Sequence, residues 1–230
     1  GKRQRGNQLR SDLRHLQPRH RKEGAVMADW FENLVNKDYL QDNLTFASLY
    51  IALFENMTDY VVSSVKDFLC NISVKNGKMV CTETSEYRTQ IRNRIVDDKG
   101  NKDITKASFL WLVDHRAITS ADFGRFLEMK GIRNKYAHEL SEVIMTGISE
   151  NEIVLLLDMH SLYRTISKWF FVEIEAPIAG YEIPENADID NIQSAANLTF
   201  DIILNVLYNG KSEEYKTMIA TIKDGRKHEV

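Results

Sequence analysis

One long run of helical periodicity constrains the fold of this chain more than any other part of its sequence. Between Asn43 and Asn71 apolar side chains recur every three or four residues with no glycine or proline, the spacing of one face of an amphipathic helix. This apolar face consists of Phe46, Leu49, Tyr50, Leu53, Phe54, Met57, Tyr60, Val61, Val65, Phe68 and Leu69. A helix of this length needs other elements to cover it. Because the 230 residues include only 11 glycines and 3 prolines, too few for a sandwich of many turns, we expect those elements to be helices.

The remaining segments predict further helices and one short hairpin. The dipeptide Asn76-Gly77 between two short alternating segments is a strong local signal for a β-hairpin, which we place near 72–81. Helical periodicity also predicts helices over 84–96, 104–116, 151–175, 188–208 and 212–223. The predicted fold class is all-α, an antiparallel helical bundle with this small β-hairpin as an insertion.

A further helix is expected from about Ser120 to about Met145, and the functional argument depends on it. Thr119 and Asp122 have the spacing of a capping box, which marks where the helix starts. Gly131 lies inside this helix, where a glycine costs up to about 1 kcal/mol relative to alanine. We expect that Gly131 either allows another element to approach closely or bends the helix.

The N-terminal segment differs from the rest of the chain in its charge. Residues 1–26 hold eight lysines and arginines against two acidic residues, so they carry +6 while the remainder carries −9 to reach the total of −3. We expect 1–26 to be a basic, disordered tail, and we interpret Met27 as a native start that would make this tail non-native. The alternative is a native basic arm that binds nucleic acid. Residues 27–230 are expected to form a single helical domain.

Composition argues against several classes of protein. Cys70 and Cys81 make neither a disulfide framework nor a zinc site, so we expect them to be reduced and structural. No run approaches the about 18 apolar residues of a membrane span, and the basic N-terminus lacks the apolar stretch of a secretory signal. We therefore expect a cytoplasmic protein with no membrane partner. The sequence has no glycine-rich phosphate loop and no clustered metal ligands, so we expect no cofactor and no metal.

The segment 133–138, Arg-Asn-Lys-Tyr-Ala-His, is the strongest candidate for a functional site. Arginine binds phosphate through a planar fork of donors, and histidine exchanges protons near neutral pH. On a helix Asn134 and His138 share one face, whereas Arg133 and His138 point about 140° apart. One copy therefore cannot enclose a phosphate, but two facing copies could.

The same spacing of arginine and histidine also occurs in the basic tail, from Arg10 to His15 and from Arg14 to His20. Those two matches lie in polar sequence without apolar periodicity. The match at 133–138 follows an amphipathic run, so it alone lies on a helix that has a core to pack against.

A helical bundle that carries Arg-Asn-x-x-x-His on a long helix resembles the HEPN superfamily, the higher eukaryote and prokaryote nucleotide-binding domains. The resemblance implies a metal-independent endoribonuclease that acts as a homodimer and leaves a 2′,3′-cyclic phosphate. It implies that His138 is a general base or acid, that Arg133 stabilises charge on the phosphoryl oxygens, and that Asn134 orients the histidine or binds the phosphate. Lys130 and Lys135 are expected to add contacts to the substrate phosphates.

The resemblance also implies partners and leaves an alternative open. Members of this kind are toxins or phage-defence effectors, so the expected partners are an RNA substrate (tRNA or mRNA), a second copy of the chain, and an antitoxin or regulatory protein. The alternative is a catalytically inactive HEPN-like dimer that binds a nucleotide or a protein. A structural interpretation also exists, in which Arg133 and His138 are surface residues that are solvated or form salt bridges with Glu139 or Glu142.

Overall fold

The structure, a computed structural model, describes residues 34–184, 187–189 and 194–208. This part of the chain is mostly helical, with one two-stranded antiparallel hairpin. In chain order the elements are α1 (Lys37–Leu69), β1 (Cys70–Lys75), β2 (Lys78–Glu83), α2 (Ser85–Tyr87, followed by a π-helical turn, Arg88–Arg92), α3 (Ile104–Asp114), α4 (Ser120–His138), α5 (Leu140–Thr146), α6 (Glu150–Phe170, followed by a π-helical turn, Phe171–Glu175), α7 (Ala176–Ile178) and α8 (Ala195–Tyr208). The predicted class, helical with a small β-hairpin insertion, is confirmed. The predicted tail 1–26, Met27 and the helix predicted over 212–223 lie outside the described residues.

Helix α1 is the element against which most of the others pack. It begins after Asn36, whose side chain accepts a hydrogen bond from the backbone N–H of Tyr39. Its apolar face is largely buried, and α3, α4, α5 and α6 lie against it. Each large apolar side chain buried in this way contributes about 1.5–3 kcal/mol, so α1 holds the other helices together. Neither α1 nor any other helix in the described ranges is both long and apolar enough to cross a membrane.

A stack of three phenylalanines fixes α4 in this assembly. Phe126 of α4 lies between Phe54 of α1 and Phe109 of α3, with ring centroids 5.8 Å and 3.7 Å away and interplanar angles below 10°. All three rings are buried. Because aromatic rings carry more apolar area than any other side chains, this stack sets the position of the N-terminal half of α4.

The hairpin joins α1 to α2 and lies where the sequence predicts it. Strands β1 and β2 pair antiparallel, with Lys75 opposite Lys78 at the tip. Asn76 and Gly77 have φ of 53° and 72°, the left-handed region that a two-residue turn of this kind requires. The hairpin prediction is confirmed, with strands that extend to 70–75 and 78–83.

Helix α4 is shorter than predicted. It begins with the predicted capping box of Thr119 and Asp122, but it ends at His138 rather than near Met145. Glu139 interrupts the helix with φ −126° and ψ 29°. Residues 137–142 are all exposed, so no apolar contact holds a continuous helix through this stretch. The chain instead turns into α5.

The other predicted helices are found with different ends. The helices expected over 84–96, 104–116, 151–175 and 188–208 are observed at 85–92, 104–114, 150–170 and, in the described part, 195–208. The first of these is mainly a π-helical turn, and the third passes into one at Phe171. Arg116, with φ 59°, lies in the left-handed region directly after α3 and prevents the continuation to 116.

Candidate functional site

Helix α4 presents one face to the core and the opposite face to solvent. Phe126, Met129 and Tyr136 are its buried side chains. Tyr50 of α1 donates a hydrogen bond from its hydroxyl to the backbone carbonyl of Met129 at 3.4 Å. The C-terminal half of α4, which carries the motif, is thus held to α1 through Tyr136 and Met129.

Arg133 is held by a carboxylate on the neighbouring helix. Its Nε donates to Oε1 of Glu55 at 2.6 Å, and its Nη2 forms an ion pair with the same oxygen. Its Nη1 donates to Oδ1 of Asn134 at 3.1 Å. A guanidinium has five N–H groups, so two remain for a further acceptor such as a phosphate oxygen. The Arg133 side chain is 31% exposed, which leaves it accessible to a ligand.

His138 is the last residue of α4 and is exposed to solvent. Asn134, one turn earlier, is exposed as well. Helical geometry directs Arg133 about 140° away from His138, toward α1. The structure therefore places the three predicted catalytic residues at one end of α4 but does not close them into a single-chain pocket. Neither Glu139 nor Glu142 forms an ion pair with Arg133, whose carboxylate partner is Glu55.

Lys130, a predicted substrate-binding residue, lies in an ion pair at the N-terminus of α3. Its Nζ is 2.9 Å from Oδ2 of Asp103, and both side chains are about one-third exposed. Burial opposes ionisation of Asp103, but the backbone N–H of Lys106 and the ammonium of Lys130 outweigh it and lower the pKa of the carboxyl. Asp103 is also the N-cap of α3, so this pair joins α4 to α3.

Lys135, the second predicted substrate-binding residue, pairs with a buried carboxylate. Its Nζ is 3.0 Å from Oε1 of Glu152, which is only 2% exposed. The other oxygen of Glu152 accepts the backbone N–H of Ser149 at 2.6 Å, as part of the capping box that begins α6. The lysine thus fastens α4 to the N-terminus of α6.

Tyr136 lies beside this ion pair in the core. Its hydroxyl is buried and has no hydrogen-bond partner among the described residues. Burial, followed by the negative charge of Glu152, raises the pKa of Tyr136 far above its usual value. The phenol is thus a packing group rather than a proton donor for chemistry.

The solvent face of α4 includes two glycines and has no partner in the described chain. Gly124, Leu127, Gly131, Asn134 and His138 recur every three or four residues and are all exposed. A Cβ atom added at either glycine would meet nothing within 4 Å. Helix α4 continues through Gly131. Of the two expectations for this glycine, a close approach or a bend, a close approach by another described element of the same chain is not observed.

A groove of about 280 Å³ lies between α4 and α6, apart from the motif. Asp122, Arg125 and Met129 line it from α4. The guanidinium of Arg125 is already bound to Asp158 at 2.7 Å and to Glu128 at 2.6 Å. Within the described ranges no group of three or more histidine, cysteine or acidic side chains is placed to hold a metal ion.

Two carboxylates of the site, Glu152 and Glu55, differ in how well the sequence predicts their role. Glu152 is detectable, because Ser149 and Glu152 have capping-box spacing before an apolar run. Glu55 lies far from Arg133 in sequence, and only the packing of α1 against α4 brings them together.

Comparison of the chain with protein-family models, with curated proteins and with solved structures finds no match in any of the three. The resemblance to HEPN domains therefore rests on Arg133, Asn134 and His138 and on the helical architecture that carries them.

Proposed function

We propose that this protein is a metal-independent endoribonuclease of the HEPN type, with an active site that two copies of the chain complete. The observation that carries the proposal is the position of Arg133, Asn134 and His138 at one end of α4. All three are accessible, next to a helix face that has no partner in the described chain. An arginine, an amide and an imidazole supply the phosphate binding and proton transfer that RNA cleavage needs without a metal.

The chemistry assigns one step to each side chain. His138 of one copy removes the proton from a ribose 2′-hydroxyl, whose oxygen attacks the adjacent phosphorus. The 5′-oxygen leaves and takes a proton from the imidazolium of either copy, so the products are a 2′,3′-cyclic phosphate and a 5′-hydroxyl. Arg133 stabilises the charge on the phosphoryl oxygens through its two remaining N–H groups. Asn134 orients this guanidinium through the hydrogen bond to Nη1.

A two-fold contact along the solvent face of α4 would complete the site. Helices with glycine at the contact approach each other closely, and Gly124 and Gly131 lie two turns apart on this face. Leu127, which is 39% exposed between them, supplies apolar area for the contact. The histidine of each copy, on the same face, would then lie near the seam.

The test of the nuclease proposal is cleavage of total RNA or tRNA by the purified protein in EDTA. Cleavage in EDTA that is lost in Arg133→Ala and in His138→Ala is the expected result. His115→Ala is the matched control, because His115 is also an exposed histidine at a helix end but directly follows α3, outside the motif. Cleavage that requires a divalent metal, or that persists in both motif variants, contradicts the proposal.

The cellular role follows from the same proposal. A cytoplasmic toxin or phage-defence effector of this type arrests growth when expressed, and an antitoxin or regulatory protein restrains it. Expression of the wild-type chain is then toxic, and the toxicity disappears with His138→Ala. Equal growth with both forms would contradict this role.

One observation favours a second candidate, a catalytically inactive HEPN-like dimer that binds a nucleotide or a protein. Glu55 neutralises Arg133, and the chain outside residues 1–26 carries −9, so the field around the motif is poorly suited to a polyanion. This candidate predicts a dimer that cleaves none of the RNAs tested.

A further inference from the structure

The two cysteines lie on the same face of the hairpin, close to its base. The register pairs Cys70 with Glu83 and Ile72 with Cys81. Because side chains alternate along a strand and directly paired residues share a face, both cysteines point to one side of the hairpin. They occupy diagonal positions, where side chains on antiparallel strands are separated by roughly 7–8 Å or somewhat less at Cβ. Both are free thiols.

The two thiols differ in their access to solvent. Cys70 is buried at the junction of α1 and β1, whereas Cys81 is exposed on β2. Burial, followed by the neighbouring Cys81 thiol, raises the pKa of Cys70. The strand register makes the two thiols diagonal neighbours, and the exposed Cys81 is the one that an oxidant meets first.

We propose that Cys70 and Cys81 form a reversible intramolecular disulfide when the protein meets a peroxide. The Cys81 thiolate attacks one peroxide oxygen, so that an S–O bond forms, the O–O bond breaks and one water leaves after protonation. The Cys70 sulfur then attacks the Cys81 sulfenic acid, the S–S bond forms, and the S–O bond breaks to release the second water. Two thiols are oxidised with loss of two hydrogens, and one hydrogen peroxide is reduced to two waters.

The position of the pair makes such a bond reversible. A disulfide needs Cβ atoms about 3.5–4.5 Å apart, so the backbone at the base of the hairpin must shift to bring the two diagonal positions closer together. The resulting strain makes the bond easier to reduce by a small thiol than an unstrained disulfide. While it lasts, the bond ties β2 to the C-terminal end of α1 and restricts the movement of the hairpin.

The decisive experiment maps the thiols of the intact chain before and after exposure to hydrogen peroxide. Free thiols are alkylated, and the protein is digested with trypsin without reductant. Cleavage after Lys66, Lys75, Lys78 and Arg88 puts Cys70 in the peptide 67–75 and Cys81 in the peptide 79–88. We expect these peptides to be linked after oxidation, with a loss of about 2 Da from the intact protein, and to separate on addition of dithiothreitol.

A one-residue shift of the exposed cysteine provides the matched control. In the double variant Cys81→Ser, Thr82→Cys the thiol moves to an equally exposed neighbour on the opposite face of the hairpin. This variant should keep both thiols free under the oxidation that links the wild-type pair. Two alkylatable thiols in the oxidised wild-type chain would overturn the proposal. So would disulfides only between separate chains, or equal linking in the shifted variant.

Discussion

The two lysines that flank the motif on α4 should differ strongly in their effect on stability, although the sequence gives them the same role. Lys135 pairs with Glu152, whose side chain is 3% exposed, and Lys130 pairs with Asp103, whose side chain is 34% exposed. The ion-pair distances are almost equal, at 3.0 Å and 2.9 Å. Replacing each lysine with methionine removes the charge and keeps most of the apolar stem. The two variants therefore differ mainly in how deeply the partner carboxylate of the lysine is buried.

Lys135→Met should destabilise the fold by about 3 kcal/mol. It removes the charged partner of the buried Glu152 carboxylate, to which the backbone N–H of Ser149 still donates. Breaking a buried pair by removing one partner costs about 3–5 kcal/mol. We take the lower end because Lys135 itself is 31% exposed, so water reaches the pair from that side. Lys130→Met should cost about 0–1 kcal/mol, because both members of the Lys130–Asp103 pair are partly solvated.

Urea unfolding of the three proteins at neutral pH measures this difference. We expect a lower midpoint for Lys135→Met with an unchanged m-value, and a midpoint close to wild type for Lys130→Met. Adding Glu152→Gln to Lys135→Met should recover roughly 1–2 kcal/mol, since the buried charge is then gone. Losses below about 1 kcal/mol for both lysines would show that water solvates Glu152 fully, and would refute the reasoning.

Three further predictions concern α4 and its contact with α1. Tyr136→Phe should leave the protein at least as stable at pH 7, because the hydroxyl is buried without a described partner. Burial raises the pKa of this phenol in the folded state above its unfolded value of about 10, so the wild type loses stability as the pH rises above about 10. Because the variant has no phenol at this position, it should lose less stability between pH 10 and 11 in urea titrations. Gly131→Ala and Gly124→Ala should each stabilise an isolated chain by about 0.5–1 kcal/mol, because alanine favours the helix. The same changes should make the proposed dimer dissociate more readily in sedimentation experiments, and an unchanged dimer would contradict a contact along this face of α4. Glu55→Ala should shift the free energy of unfolding by less than about 1 kcal/mol and strengthen binding of single-stranded RNA, because a carboxylate no longer offsets the positive charge of Arg133. Unchanged anisotropy titrations would argue against phosphate binding there.

The fold class can be predicted from the sequence, because helical periodicity and turn-forming residues are local properties of the chain. The apolar period of α1 and the Asn76-Gly77 turn both depend on neighbouring residues. The turn lies where it is predicted, and the helix predicted over 43–71 is observed at 37–69. The end of α4 at His138 cannot be predicted from local sequence in this way. It depends on whether residues 137–142 find apolar contacts, and this is decided by the packing of distant helices.

In the candidate site, too, some features follow from local sequence and others depend on the tertiary structure. The motif residues are chosen by type and spacing, and the capping box at Thr119 is predicted from the sequence. The capping box at Ser149 has the same detectable spacing. The contact of Arg133 with Glu55 spans 78 residues, so only the tertiary structure reveals it. Likewise the sequence cannot tell that Lys135 faces a buried carboxylate while Lys130 faces a partly solvated one.

The central position of α1 has a consequence for synthesis of the chain. Its apolar face is complete when residue 69 leaves the ribosome, but α6, which covers part of it, ends at Phe170. At about 5–20 residues per second, the intervening stretch of roughly 100 residues takes on the order of 5–20 s to synthesise. A helix of this length relaxes within about a microsecond, so during nearly all of that interval the nascent chain exposes an apolar face that is ready to aggregate. Chaperones that bind apolar nascent segments should therefore crosslink to α1 until translation passes α6.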